Sequence, residues 1–586
     1  MSRLHSLDEP DPVQQYMSRR FPGRERLGPL ALLLLYPFSE RPSMEPIRSL
    51  DDPDPVQEYM LVRSRKRWIV LGAVVFLIVV AVFWSIFAEV PPDYADIRDH
   101  FKYGSIGSDS AAGIPYWIWW VLPDLFPQHL PEPERYKSLP DADRTPPAAY
   151  AQFGFVYEAG HDLPIGFSKR RVTVERVGLN CAVCHVATLK ITPGMDPSKI
   201  YGGEPDYTSP GKDRLIILGM PAITVDLGGY LQFLFKCADD PGFTDENILD
   251  AINRHHHLGP LDRFLYRRAV PALQKALQDQ ERDFVFLGKN PPAGPGRVDT
   301  FNPYKNHVFH FPPDGSIGTA DLPSIWNQRP REGMQLHWDG NNTSVFERNI
   351  SASLGAGATP VSLDMPRMLR VAAWLGAPDP HRVLTEEEKR IARADPRPHT
   401  GELPIPRFPY AIDPARVTHG GALYARHCAS CHDWQGKHVG QTVPADEIGT
   451  DRQRLDSFTP ELAANQNTLG AGQWWRFHNF RKTDGYVNMP LDGLWARAPY
   501  LHNGSVPTLL DLLQKPGSRA RKFFRGDDEY DPVNVGFRSD RSRSDDGRRL
   551  FPFDTELPGN GNGGHDYGTS LADEEKKALL EYLKTL

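Results

Sequence analysis

"NCAVCH" at Asn180–His185 and "RHCASCH" at Arg426–His432 share one pattern. Each sets two thiols three positions apart and places an imidazole directly after the second. The chain has 586 residues and five cysteines. Four of the five lie in these two motifs, and only Cys237 is left over. A disulfide framework would scatter its cysteines, whereas this chain concentrates them. Zinc ligation and a redox-active dithiol are the competing readings of a C-x-x-C pair. The histidine that follows at once, in both copies, favours covalent attachment of a c-type haem. In such a site the thiols bond the porphyrin's vinyl groups and the histidine ligates the iron from below. Cys181, Cys184 and His185 are therefore expected to hold one haem, and Cys428, Cys431 and His432 a second. Cys237 follows an apolar run and reads as a buried, inert thiol.

Length alone calls for two or more domains. A net charge of −7 gives no reason to propose nucleic acid as a partner. Trp68–Ala88, "WIVLGAVVFLIVVAVFWSIFA", carries no charge and is long enough to cross a bilayer as a helix. Arg63, Arg65, Lys66 and Arg67 precede it, so the positive-inside rule puts the N-terminus in the cytoplasm and the remainder outside. "SIFAEVPP" is a poor cleavage site, which favours an uncleaved anchor over a secretory signal. The expectation is a single-pass inner-membrane protein with periplasmic haem domains. Ahead of the anchor, "LHSLDEPDPVQQYM" (Leu4–Met17) returns as "IRSLDDPDPVQEYM" (Ile47–Met60). This repeat is rich in Pro and acid and reads as disordered, with Met44 a candidate true start.

The expected domains are a tail over 1–66, an anchor over 67–89 and an aromatic-rich segment over 90–140. An N-terminal haem domain over 141–395, a Pro-rich linker over 396–414 and a C-terminal haem domain over 415–586 follow. The aromatic segment contains "IPYWIWW" (Ile114–Trp120) and reads first as a core wedge, with a membrane-surface contact or substrate entry as alternatives. The last domain has the sequence shape of a small class-I cytochrome c. A short helix with Leu423 and Tyr424 on one face leads into its haem motif. A terminal helix, N-capped by Ser570, shows a stripe at Leu579, Tyr582, Leu583 and Leu586. The fold expected is mainly α: two class-I cytochrome c-like haem domains in tandem with long loops, preceded by one transmembrane helix.

Two c-haem motifs in tandem resemble the bacterial diheme cytochrome c peroxidase superfamily. "LPSIWNQRPREGMQLHWDGNNTSVFERN" (Leu322–Asn349) is similar to that family's segment after the first haem, where a Pro-Ser-x-x-Asn turn leads to a Trp-Asp-Gly turn. "PLDGLWARAPYLHNGSVPTLLDLL" (Pro490–Leu513) is similar to its second-domain signature. The chain's length and "GMPAITVDLGGY" (Gly219–Tyr230) look nearer to the rubber oxygenase branch, which uses dioxygen to cleave polyisoprene; an anchor would be a departure from that branch. The resemblance implies two covalent haems, peroxide or dioxygen as substrate, and a redox partner protein. A calcium ion between domains is known in the peroxidases, but this chain shows no loop motif for it.

A haem with two protein ligands shuttles electrons, and one with an open position binds small molecules. For the C-terminal haem the favoured second ligand is His565. Its Gly-rich loop, "LPGNGNGGHDYG", can approach a porphyrin closely, and a distal His near the C-terminus resembles the rubber oxygenase arrangement. Met489 is the alternative. For the N-terminal haem, Met195, Met220, His307 and His310 have no convincing spacing, which favours an open site. By resemblance its pocket receives the turn at Trp338, Asp339 and Gly340, with Glu347 where the peroxidases keep a distal acid. Glu347 reads equally as an ordinary acid opening a helix. Trp326 and Trp338 read as electron conduits between haems or as core aromatics. The functional expectation is a haem oxidoreductase with peroxide reduction or dioxygen activation at the N-terminal haem and electron transfer at the C-terminal one. The alternative is a carrier with both irons six-coordinate.

Overall fold

The protein is described as a computed structural model covering residues 55–87, 89, 92–201 and 213–586. Residues 1–54, with the first copy of the repeat, most of the second copy and Met44, lie outside the described residues. The chain divides into two compact units, 1–85 and 86–586. Helix accounts for 42% and strand for 11%, so helices dominate, but strands take a particular place in the larger unit.

Helix α1 spans Pro55–Phe87 and so includes the last part, 55–66, of the segment expected as a disordered tail. Most of its described apolar side chains are exposed, including those of Trp68 and Trp84. Among the described residues no helix is long and apolar enough to cross a membrane. The expected anchor over 68–88 is therefore corrected, and with it the single-pass inner-membrane placement. The unbroken apolar run whose side chains are described, Trp68 to Ala81, rises about 21 Å as a helix. A bilayer core is about 30 Å thick.

In the larger unit the aromatic segment is a core wedge. Helix α2 (Tyr116–Leu125) buries Trp119, which stacks on Tyr150 at 4.3 Å and donates its indole N–H to the Tyr230 hydroxyl at 3.0 Å. Strands β1 (Phe167–Val172) and β2 (Val174–Leu179) form an antiparallel hairpin that turns at Thr173. The Cys181 motif follows directly. Strand β3 (Val186–Lys190) leaves it and pairs antiparallel with β4 (Arg214–Leu218), Val186 opposite Leu218. The next layer is α3 (Leu227–Asp239), capped by Asp226, then α4 (Asp245–His255), capped by Thr244, and α5 (Pro260–Asp283). Cys237 is fully buried in this layer and burial pushes its thiol pKa up, so it is inert as expected.

Helix α6 (Val345–Gly355) follows the Trp338 turn. The stretch expected as a linker buries Leu403, Phe408 and Tyr410 in the same core cluster as Trp326, Leu423 and Trp495. Beyond it come α7 (Pro414–His427), strands β5 (Thr442–Pro444) and β6 (Gly485–Val487), which pair, and the terminal α8 (Asp573–Leu583). Asp413 caps α7 by accepting the Ala415 N–H at 3.0 Å, and Pro414 fills the first helical position, where no N–H is needed. Helix α8 begins after Ala572, two residues past the expected Ser570 cap. The Glu575 carboxylate accepts the Ala572 N–H at 2.9 Å and makes that start.

Helices α7 and α8 cross at Gly420, where a Cβ would stand 2.0 Å from the Ala578 carbonyl oxygen. Tyr424 and Tyr582 pack at 5.0 Å beside it. Among the described residues the Cys181 motif has no such helix pair: two antiparallel strand pairs flank it. The expectation of two class-I domains in tandem is thus corrected. In the N-terminal region the chain before and after the motif is extended and cannot present a helix face for crossing.

Candidate haem sites

The Cys428 motif continues α7 into a single turn, Ala429–His432. His432 Nδ1 lies 2.7 Å from the Met489 carbonyl oxygen. A carbonyl can only accept, so Nδ1 carries the proton and Nε2 is left as the ring's lone-pair nitrogen. This is the arrangement of a metal-ligating histidine held by an outer hydrogen bond. Met489 stands behind His432, on the Nδ1 side, which disfavours it as the ligand on the opposite face.

His565 stands in front. Its ring centre lies 6.2 Å from that of His432, at 42° between planes. Two metal–nitrogen bonds of about 2 Å each, with about one ring radius on either side, span that separation. Several features aim the ring. His565 adopts a left-handed φ of 52°. Its N–H donates to the Ile448 carbonyl at 2.8 Å. Arg519 donates to the carbonyls of Asn562 at 2.6 Å, Gly564 at 2.8 Å and His565 at 3.3 Å. Gly564 is required here, because a Cβ would lie 2.3 Å from the Ile448 oxygen. Burial, His432 and Arg519 push the His565 pKa down to about 3, so the ring is neutral and able to ligate. Burial also lowers His432, with the Met489 bond opposing. Burial raises the Cys428 thiol to about 11.

The Cys181 motif is set by different means. Asn180 accepts the Ala182 N–H at 2.9 Å and donates to the carbonyls of Lys102 and Gly104 at 3.1 and 3.0 Å. Gly166 passes so close that a Cβ would meet Val183 at 2.3 Å. His185 Nδ1 donates to the Pro323 carbonyl at 2.9 Å, as His432 does to Met489. Burial takes the His185 pKa to about 4, and Cys181 and Cys184 rise to about 11 and about 12. These three side chains are deep enough to be desolvated, yet each keeps accessible surface. A bound porphyrin can therefore reach all three. No second histidine ring faces His185 among the described residues as His565 faces His432. Met220 is fully buried in the core, and His307 and His310 are exposed, with His307 Nδ1 bonded to Asp283 at 2.7 Å.

The two residues expected to be catalytic are each held by hydrogen bonds within the protein. Glu347 is buried, and its carboxylate accepts from Asn342 Nδ2 (3.0 Å), the backbone N–H groups of His478 (2.9 Å) and Asn479 (3.1 Å), and Asn479 Nδ2 (2.7 Å). Both oxygens are engaged, so it clamps the 478–479 loop to the start of α6. Trp338 donates its indole N–H to the Asp321 carbonyl at 2.8 Å and packs with Ala445, Leu455 and Tyr486. Trp326 is fully buried and donates to the Asp492 carbonyl at 3.2 Å. Pro323 precedes Trp326 by three residues and Met489 precedes Asp492 by three, so one indole bond joins the segments that orient His185 and His432.

Sequence reading missed Arg519, whose hydrogen bonds run to backbone and leave no motif. It also missed His337, whose Nε2 is buried without a partner. Its position directly before Trp338 in "QLHWDG" was the available signal. Among the described residues no group of three or more His, Cys, Asp or Glu side chains is set to hold a metal ion, so calcium gains no site here.

Comparison with known proteins bears on the C-terminal part. Residues 417–503 match the cytochrome c family, and residues 485–525 match the family described as RoxA-like, cytochrome c-like. Two proteins of Sinorhizobium fredii (strain NBRC 101917 / NGR234) are similar over longer stretches. Uncharacterized protein y4iJ is 27% identical over 541 residues, covering 74% of this chain and 84% of its own. Uncharacterized protein y4iM is 31% identical over 318 residues, 47% of this chain and 66% of its own. With its helix crossing and its C-x-x-C-H motif, the part of the chain over 417–525 is similar to cytochrome c and RoxA-like cytochrome c domains, a likeness that supports covalently bound haem c and an electron-transfer or oxidoreductase protein.

Proposed function

We propose that the chain is a diheme c-type oxidoreductase with divided labour. The Cys181–His185 site takes a small oxidant on its open side, and the Cys428–His432 site, closed by His565, passes electrons. The observation that carries this reading is the asymmetry of the two motifs: a histidine ring 6.2 Å from His432 and none so placed beside His185 among the described residues. When bound, haem supplies redox chemistry and, at an open position, ligand binding. The residues supply orientation. Pro323 and Met489 fix the two proximal rings, and Trp326 with Asp492 offers a short bonded route between them. Glu347 positions the loop at 478–479 rather than moving a proton. The likeness to the RoxA-like family supports dioxygen over peroxide. A redox partner protein is expected to exchange electrons with the C-terminal site.

Spectra of the purified protein with cyanide and carbon monoxide test this. One haem is expected to bind them and the other to remain low-spin. If neither haem takes an external ligand, the chain is an electron carrier and the enzyme reading fails. Oxygen uptake with an alkene polymer, set against peroxide turnover with a reduced cytochrome, then separates oxygenase from peroxidase.

A further inference from the structure

We propose that His337, supported by Arg348, is the distal hydrogen-bonding group of the Cys181–His185 haem site, its Nε2 meeting a small ligand on the side opposite His185. The inference rests on the reading of that motif as a second haem site and adds the polar group that would discriminate between ligands there.

Buried polar atoms in folded proteins have partners, and an orphan calls for an explanation. His337 Nε2 is such an orphan, and so is one terminal nitrogen of Arg348, Nη2. Both belong to the neighbourhood of Cys181. Arg348 lies on α6, whose Ser353 hydroxyl is near enough to the Cys181 sulfur to oppose the burial-driven rise of its pKa. Five residues separate Arg348 from Ser353, about 7.5 Å along the helix. The Arg348 guanidinium is close enough to act electrostatically on both His185 and His337. His337 also packs on Phe480 at 6.4 Å, and Phe480 belongs to the apolar cluster against which Cys181 packs.

The backbone adds an independent sign. His337 holds a left-handed φ of 62°, unusual for a residue with a Cβ. Hydrogen bonds hold it there on the preceding side: Gln335 N–H to the Gly440 carbonyl at 2.8 Å and Leu336 N–H to the Asn342 carbonyl at 2.7 Å. Strain kept in place by its surroundings is a mark of a functional position. Burial, with Arg348 and Arg454 nearby, lowers the His337 pKa to about 3. The ring is thus neutral and can act as a hydrogen-bonding partner. It is not placed as a second iron ligand, since it makes no ring approach to His185 like that of His565 to His432. The fixed positive charge of Arg348 favours an anionic ligand in the same pocket.

The test uses the full-length holoprotein, with covalent haem counted by mass. The probes are fluoride for the ferric protein and carbon monoxide for the ferrous one. His337→Phe should weaken fluoride binding by about tenfold and shift the carbon monoxide stretching band, while the low-spin signal of the other haem persists as a check on folding. His337→Gln keeps an N–H donor and should retain most of the affinity; it also serves if the Phe variant does not fold. Arg348→Leu should weaken fluoride more than carbon monoxide. Unchanged fluoride and carbon monoxide behaviour in a folded His337→Phe protein overturns this inference alone and leaves the diheme reading standing. A wild-type N-terminal haem that is low-spin and becomes high-spin in His337→Phe overturns it too, by making His337 a ligand. A wild-type protein with one covalent haem, or with two that bind neither probe, overturns both readings.

Discussion

At Cys428 the motif ends a helix that a second helix crosses; at Cys181 it sits between two antiparallel strand pairs. The same five-residue pattern, with the same outer hydrogen bond from His Nδ1 to a carbonyl, is held in two unlike settings. The helix crossing at Gly420 leaves the far face of the Cys428 site to a loop, and that loop delivers His565. The strand pairs at Cys181 are backed by α6 and the Trp338 turn, which deliver the half-buried Arg348 and His337, each with a buried unpartnered nitrogen. On the proposed diheme reading, the motif fixes where a haem is attached, and the surrounding chain decides whether its second face is closed.

The largest expected effect falls on attachment. Replacing Cys181 and Cys184 together by Ala should remove one covalent haem and leave the other, as read by mass of the intact protein. Two covalent haems in the double variant would end the comparison, because the N-terminal motif would then not be an attachment site. Next in size is His565→Gly. A haem that loses one of two axial ligands turns high-spin, and added imidazole should restore the low-spin spectrum. A wholly unchanged spectrum would mean that the far face of the Cys428 site is closed by another group.

What the sequence made legible follows from how local each feature is. Both motifs, the helix ahead of Cys428 and the terminal stripe at Leu579 and Leu583 are written in consecutive residues, and each was readable. The approach of the His565 loop to His432 was readable because the glycines around it announce a close backbone approach. The strand pairs around Cys181 were not, since strands of five or six residues next to a motif known from helical domains carry little periodicity. Most partners of Glu347 come from residues 478–479, more than a hundred positions away, so it was read as a distal acid or an ordinary helix-opening acid when its carboxylate is saturated. The apolar run at 68–88 was read from length and charge alone.

A smaller effect tests the helix crossing itself. Gly→Ala inside a helix ordinarily stabilises by up to about 1 kcal/mol. At Gly420 the new methyl would collide with the Ala578 carbonyl, backbone that cannot swing away. Overpacking of this kind costs about 1–3 kcal/mol, so Gly420→Ala should lower the unfolding midpoint. An unchanged or raised midpoint would show that α7 and α8 are not held at this distance.

The smallest effect concerns acid, and it asks whether the two regions unfold together. His502 is fully desolvated, stacks on Tyr486 at 4.1 Å and lies near Arg454 and Arg297, so its pKa is held well below the usual histidine range. The unfolded chain takes up this proton near pH 6.5, while the folded chain refuses it. Stability from this group is therefore fully present above about pH 6.5 and is lost as the pH falls. Each such group contributes a slope of at most about 1.4 kcal/mol per pH unit. His502→Phe keeps the stack and removes the proton site, so unfolding free energy measured between pH 6.5 and 5 should fall less steeply than in the native protein. One core cluster runs from Val186 and Ile217 through Trp326 to Trp495 and Leu579. The two haem signals should therefore be lost at a single midpoint at each pH, in the variant as in the native protein. Two separate midpoints would mean that the regions around Cys181 and Cys428 unfold independently despite the shared core.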